Sequence, residues 1–387
     1  IMLPVVDLQI PAGAKWAPTF YTPTTGKHSK GAAVAAFAEA FLRIIDDEDD
    51  EHPPIKLTEF QKWQLMRLLE TDENGRLKLR EALIMLPRKN GKTFLIAIIM
   101  LYMLCFAPDH AQMYSAAKDL KQAQNVFRMV KAWIEYSPEL SKVMKIRESD
   151  SMIINKFTGA FYRAVPADTA SMHGTNPYFV IVDELHGMVT KKHHDFVESL
   201  TTGSGARKES LVVYISTAGA VILGTLLGEM YLRGKEIAEG KATASNFGAF
   251  IWEAAPDADI TDPEVWMQAN PMLAEGVLSL EFMQGQLEKA KKRNPAFFLR
   301  YFLNIWASVA GDPFIHPHAW SGICDKNATI PAGAKIVAGF DGAYVKGDSA
   351  VITYQDIETG VLKIWEIWER PADADPDWHL SRREVEK

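Results

Sequence analysis

Cysteine is almost missing from this sequence: of 387 residues only Cys105 and Cys324 carry a thiol. Two thiols exclude a disulfide framework and a four-cysteine zinc site, and a reducing compartment is the expectation. A membrane-spanning run is also missing. The longest apolar stretch, 94–106, falls short of the roughly 20 residues that cross a bilayer. No internal repeat is visible. Nor is there an excess of positive charge: 42 Lys and Arg stand against 49 Asp and Glu, a net charge of −7. Wholesale phosphate binding usually needs a basic surface, so the balance speaks against a passive DNA-coating protein.

What is present is an ordinary globular composition, 48% hydrophobic and 24% charged, long enough for two or three domains. The charge is uneven. Residues 53–330 are nearly neutral, and acid gathers at both ends, most of the first excess in the run 46–51. Residues 1–30 read as an irregular Pro/Gly/Thr-rich arm, followed by a helix over 32–45. From about 57 strands and helices alternate: strands at 81–86, 111–116, 178–182 and 211–216, helices at 93–106 and 118–136, and a hairpin of 152–155 with 160–164. Strands apolar on both faces imply a mostly parallel sheet covered on both sides. Helices at 226–239, 263–269, 280–293 and 295–306, with one strand at 248–252, predict a helical region. A Pro/Gly-punctuated stretch then leads to a β-rich segment with strands at 336–340, 349–355 and 361–368.

Three motifs carry chemistry. Leu86-Pro87-Arg88-Lys89-Asn90-Gly91-Lys92-Thr93 lies between a strand and an apolar helix. Gly91-Lys92-Thr93 matches the end of a phosphate-binding loop (Walker A), where a Lys meets the β- and γ-phosphates, a hydroxyl meets Mg²⁺, and the helix N-terminus faces the anion. The standard loop has a glycine where this chain has Leu86. Second, Phe179-Val180-Ile181-Val182-Asp183-Glu184 is a buried strand delivering two carboxylates to its end (Walker B). Asp183 suits Mg²⁺ binding, and Glu184 suits a general base that polarises water. Third, Ile215-Ser216-Thr217-Ala218-Gly219 ends the next apolar strand with hydroxyls able to meet a γ-phosphate.

Together these motifs resemble the large terminase subunit of tailed bacteriophages, over about residues 55–355. Leu57-Thr58-Glu59-Phe60-Gln61-Lys62-Trp63-Gln64 looks like the family's adenine-reading segment, with Gln61 as the reading amide. The family's loop carries an arginine three residues before its glycine, here Arg88, which implies a cis arginine for the transferring phosphate. Lys89 and Asn90 fall within the same loop. His173-Gly174-Thr175-Asn176-Pro177, Asp183-Glu184-Leu185-His186, Ala269-Asn270-Pro271 and Phe302-Leu303-Asn304-Ile305-Trp306 are further family-like text. Ser216-Thr217-Ala218-Gly219 looks like the coupling motif.

The resemblance implies an α/β fold: a P-loop ATPase of the additional-strand class with a parallel sheet and helical lid, then part of an RNase H-like nuclease domain. The implied division is an arm and helix over 1–56, an ATPase core over 57–220, a lid over 221–310, a linker over 311–330 and the start of the nuclease over 331–387. In the nuclease part Asp341 falls where the first metal-binding carboxylate belongs, and Asp348 resembles a second. The later acids would lie beyond residue 387, so residues 1–387 alone are expected not to cut DNA, while the full-length protein is expected to be a metal-dependent endonuclease. Asp373, Asp375 and Asp377 read as solvated loop acids.

The implied ligands are ATP and Mg²⁺, with Mg²⁺ or Mn²⁺ at the nuclease site. The implied partners are double-stranded DNA, a portal protein, a small terminase subunit and further copies of the chain in a ring, a pentamer, with no membrane. The implied location is the host cytoplasm, transiently docked on the viral procapsid and absent from the mature virion. Arg207 and Arg233 are candidates for an arginine acting on a neighbouring subunit, and Lys191-Lys192 and 289–293 are basic clusters. Two other readings stay open at this stage: a helicase-like or remodelling P-loop ATPase, and a nucleotide-switched assembly protein without turnover.

Overall fold

The computed structural model describes residues 8–23, 26–45, 52–167, 175–204, 207–243, 246–307, 324–325, 327–342 and 350–368. The acidic run 46–51, His173, Gly174, Asp348, Asp373, Asp375 and Asp377 lie outside the described residues. The chain divides into two compact units, 1–309 and 310–387.

The first unit is built on a nine-stranded sheet. Across the sheet the strands run Phe20–Tyr21, Phe247–Ile251, Glu81–Met85, Leu211–Ser216, Pro177–Asp183, Gln112–Ala117, Phe161–Pro166, Met152–Asn155 and Met144–Arg147. The six strands from Phe247–Ile251 to Phe161–Pro166 pair in parallel, and the flanking ones are antiparallel. The strand Leu211–Ser216 lies between Glu81–Met85, which leads into the phosphate loop, and Pro177–Asp183, which delivers the acids. That inserted strand is the additional strand that the resemblance implies.

Alternation along these strands divides the core in two. Ala82, Ile84, Phe179, Ile181, Val213 and Ile215 point to one face, against the helices Gly31–Phe41, Glu59–Leu68, Lys92–Phe106 and Leu120–Tyr136. Leu83, Met85, Val180, Val182, Val212 and Tyr214 point to the other, against Lys191–Ser204 and Leu226–Ala238. The helix Lys92–Phe106 is apolar all round because it is buried on nearly every side.

The arm is more ordered than its composition suggests. Phe20–Tyr21 closes one sheet edge by pairing with Phe250 and Ile251. Two buried indoles hold the segment: Trp63 Nε1 donates to Leu8 O at 3.1 Å and Trp252 Nε1 to Trp16 O at 2.8 Å. Within the span expected as a lid, the strand Phe247–Ile251 belongs to the main sheet. A separate core is built by residues 254–305, around Trp266, Met283, Leu287 and Phe298.

The second unit contains a three-stranded antiparallel sheet in the order Ile336–Asp341, Ala350–Asp356, Leu362–Trp368. The residues of Ile336–Asp341 are exposed. Among the described residues, no helix is long and apolar enough to cross a membrane.

The two thiols differ sharply. Burial pushes the Cys105 thiol up to about 12, whereas Cys324 is exposed. The thiolate is the reacting form. A maleimide at pH 7.5 is therefore expected to label Cys324 rapidly and Cys105 only after unfolding. Peptide mass spectrometry of a time course checks this, and equal labelling rates would contradict it.

Candidate functional site

Register brings the three motifs together. Ser216 pairs with Met85, and Ile215 pairs with Asp183. The phosphate loop, the two acids and the strand-end hydroxyls therefore emerge side by side at the carboxyl edge of three adjacent parallel strands. Ligands bind at that edge of an open α/β sheet.

The loop has the backbone its sequence requires. Gly91 caps the helix Lys92–Phe106 in a left-handed conformation, φ 72°. A side chain there would be strained, and its Cβ would lie 3.2 Å from Gln61 Nε2. Lys89 also has positive φ, 67°. Asn90 is buried. Its amide donates to Asn270 Oδ1 at 2.7 Å, and its Oδ1 accepts from the Met272 N–H at 3.1 Å. Lys92 Nζ turns back on the loop and donates to Leu86 O at 2.6 Å and Pro87 O at 2.9 Å. Thr93 follows in the first helical turn.

The charges interact strongly. Burial lowers the affinity of Lys92 for its proton, as does Arg88, against the opposing pull of Glu184 and Asp183; the net position is about 8. Asp183 is pushed up by burial and by Glu184, with Lys92 opposing. Glu184 is raised by burial, but the close approach of His186 and the charges of Lys92, His186 and Arg88 outweigh that, so its carboxyl sits below the usual range. The neighbouring acids are thus held apart in proton affinity, the buried Asp183 high and Glu184 low.

Arg88 is exposed. Its guanidinium lies 3.8 Å from the centroid of the Tyr301 ring, and its backbone N–H donates to Tyr301 O at 2.7 Å. Gln61 belongs to a capping box on Glu59–Leu68: Oε1 accepts from the Thr58 N–H at 3.0 Å, and Thr58 Oγ1 accepts from the Gln61 N–H at 3.4 Å. Its Nε2 faces Gly91. Ser216 and Thr217 are wholly buried. Ser216 Oγ donates to Thr217 O at 2.7 Å and accepts from the His186 N–H at 3.1 Å.

Other sequence candidates fall elsewhere. Arg207 Nε donates to Asn176 O at 2.7 Å, and Arg233 lies over the Phe247 ring at 4.4 Å. Lys289, Lys291, Lys292 and Arg293 are exposed at the end of the helix Leu280–Arg293. Asp341 ends the first strand of the second unit and pairs with Val351. Among the described residues, no group of three or more His, Cys, Asp or Glu is placed to hold a metal ion.

Two asparagines in the family-like text acquire a role. Asn270 accepts from Asn90 and donates to Trp266 O and Phe302 O, each at 2.8 Å. Asn304 accepts from the Ala218 N–H at 2.6 Å and donates to Trp252 O at 2.8 Å. They pin the 254–305 core to the phosphate loop and to the strand end after Thr217. Tyr301 was not singled out from sequence. One aromatic among the four of the helix Pro295–Phe302 gives no signal of an arginine distant in the chain.

Residues 59–236 match the family model described as the terminase large subunit, ATPase domain. The chain resembles a terminase large subunit, as its motifs imply. The large terminase subunit of Enterobacteria phage HK97 is 29% identical over 351 residues, which are 89% of this chain and 66% of that protein. The chain thus spans just under two thirds of that relative's length. Protein YmfN of Escherichia coli K12 is 30% identical over 175 residues, covering 43% of this chain and 36% of that protein. The crystal structure of the HK97 bacteriophage large terminase is similar at a TM-score of 0.61 and 28% identity, over 87% of this chain and 67% of that one. The terminase-like segment includes the loop's end, both acids and the strand-end hydroxyls.

Proposed function

We propose that this chain is the ATP-hydrolysing part of a motor that moves viral double-stranded DNA into a procapsid. The observation that carries the reading is the convergence of Lys92, Asp183, Glu184 and Ser216 at three adjacent strand ends, in a segment similar to terminase ATPase domains. Lys92 exchanges its two loop carbonyls for the β- and γ-phosphates of ATP, and the N–H groups of the loop, 89–93, line the anion. Gln61 sits beside the loop and reads the adenine. Ser216 and Thr217, buried in the free chain, are uncovered at the strand end to meet the γ-phosphate when nucleotide binds. Glu184, ionised, takes a proton from water as the water oxygen attacks the γ-phosphorus and the bond to the β–γ bridging oxygen breaks. Arg88 rests on Tyr301 through a cation–π contact worth about 0.5–1 kcal/mol at an exposed site. A hold of that size yields to a phosphate, leaving the guanidinium to meet charge that develops there.

The donor set suits Mg²⁺. Asp183 is a buried carboxyl raised by burial and a neighbouring acid, which an adjacent cation would favour in its ionised form, and Thr93 offers a hydroxyl at the helix start. When bound, the ion neutralises phosphate charge.

The proposed organisation is an arm and helix over 1–56, an ATPase core over 57–220, a lid over 221–310, a linker over 311–330 and a nuclease beginning at 331. In the full-length protein Asp341 and Asp348 would hold Mg²⁺ or Mn²⁺ for cutting concatemeric DNA. The proposed partners are a portal protein, a small terminase subunit and further copies of the chain in a pentameric ring. The proposed setting is the host cytoplasm, with transient docking on the procapsid.

Steady-state phosphate release, measured against protein concentration with and without double-stranded DNA, tests the reading. Specific activity should rise with both. Hydrolysis indifferent to DNA would refute the motor assignment, and nucleotide binding without turnover would favour a switch.

A further inference from the structure

The 3₁₀ turn Leu185–Gly187 places His186 between the Glu184 carboxylate and the strand-end hydroxyls. Its Nδ1 lies 3.0 Å from Glu184 Oε2, 3.3 Å from Ser216 Oγ and 3.4 Å from Thr217 Oγ1. With the ring proton placed on Nδ1, one N–H cannot serve three acceptors at once. In the present arrangement the close approach to Glu184 falls short of an aligned hydrogen bond, and Oε2 is a buried oxygen without one. A buried carboxylate oxygen in that condition is costly and calls for a reason. The backbone contributes to the tension: Glu184 has φ 53°, in the left-handed region that residues with a side chain adopt at a cost. The His186 main chain is fixed, because its N–H donates to Ser216 Oγ at 3.1 Å. The ring packs edge-on to Tyr301, centroids 5.9 Å apart. The side chain therefore has a fixed root, a small swing and competing acceptors.

We propose that His186 is a positioning residue that shifts its Nδ1 hydrogen bond from the Ser216 and Thr217 hydroxyls to Glu184 when a terminal phosphate engages those hydroxyls. This inference rests on the ATPase reading above. With the hydroxyls occupied, Nδ1–H turns to Oε2, which satisfies that oxygen and leaves Oε1 aimed at the attacking water. An unengaged strand end leaves Glu184 loosely held and turnover low. The device thereby ties water activation to the presence of a γ-phosphate.

The test compares His186→Phe, His186→Asn and His186→Ala in the full chain, reading kcat and KM for MgATP and, separately, the Kd of a fluorescent ATP analogue. Phe keeps the ring volume and the Tyr301 contact but has no donor; Asn places an amide donor near the position of Nδ1. A donor role predicts that Phe and Ala lose roughly 10–100-fold in kcat, the scale of a slightly misplaced reacting group, with Kd essentially unchanged and with substantial recovery in Asn. A purely structural histidine predicts the opposite order, Phe near wild type and Asn as poor as Ala, and that outcome overturns the proposal. If Phe fails to fold by thermal denaturation, the Asn-to-Ala ratio in kcat decides alone, and a ratio near one refutes it. A wild-type chain that binds the analogue without hydrolysing ATP would instead remove the ATPase reading.

Discussion

Glu184→Gln is expected to abolish ATP turnover while nucleotide binding survives at a pH low enough to keep Lys92 charged. A general base contributes roughly 10²–10⁴-fold, so kcat should fall by at least two orders of magnitude. The substitution keeps the side chain's shape and removes its charge and basicity. The wild-type carboxyl suits the task because burial, which alone would raise it, is outweighed by His186, Lys92 and Arg88. It is therefore ionised at neutral pH and able to accept a proton.

The same variant carries a pH signature. In the free protein Lys92 sits at about 8, lowered by burial and supported chiefly by the charge of Glu184. Removing that charge lowers Lys92 further. The cationic form, which binds phosphate, is present below that value and lost as pH rises through it. Nucleotide affinity should therefore weaken at a lower pH in Glu184→Gln than in the wild type. Phosphate release together with analogue binding across pH 6–9 checks both points. Retained turnover would take Glu184 out of its role, and coincident pH profiles would remove its support of Lys92.

Much of this site was legible because parallel strands covered on both faces leave apolar runs. Phe179 to Val182 and Leu211 to Ile215 announce themselves, and the residues that follow such runs lie at the carboxyl edge. Lys92, Asp183 and Glu184 could be placed in that way. Helix starts at Pro263 and Pro295 were legible for a similar local reason, since proline suits the first helical turn.

Features that depend on distant partners were not legible. The edge strand Phe20–Tyr21 has two residues and no period to detect. The helix Lys191–Ser204 begins Lys-Lys-His-His and hides its buried Phe196, Val197 and Leu200 among polar neighbours. The helix expected to reach 306 ends at Phe302. Asn304 adopts a left-handed φ of 57°, which asparagine tolerates better than most residues, and uses its amide to bridge Ala218 and Trp252. Local propensity favoured continuing the helix; two long-range hydrogen bonds prevailed.

Asn270→Ala is expected to cost stability and to loosen the phosphate loop together. Asn270 is wholly buried and 180 residues from Asn90 in the chain. Its amide is a donor to Phe302 O, within the 254–305 core, and its Oδ1 is the acceptor for Asn90, within the loop. Truncation leaves Phe302 O without that donor and removes the strongest partner of Asn90 Nδ2. Each buried group left unsatisfied costs about 1–3 kcal/mol. Trp266 O is spared, because it also accepts from the Asn270 N–H at 3.0 Å. Asn90 Nδ2 keeps longer bonds to Arg88 O and Pro87 O, at 3.2 and 3.4 Å. The sum is a loss of about 2–4 kcal/mol, read by denaturant unfolding. Asn90→Ala removes the other end of the same bond, so the double variant should be less destabilised than the two singles added together. Because Asn90 also holds the Met272 N–H at 3.1 Å, both singles should weaken nucleotide binding even where the chain remains folded. Additive unfolding energies, or singles that bind nucleotide as the wild type does, would show that the helical core does not hold the loop through this pair.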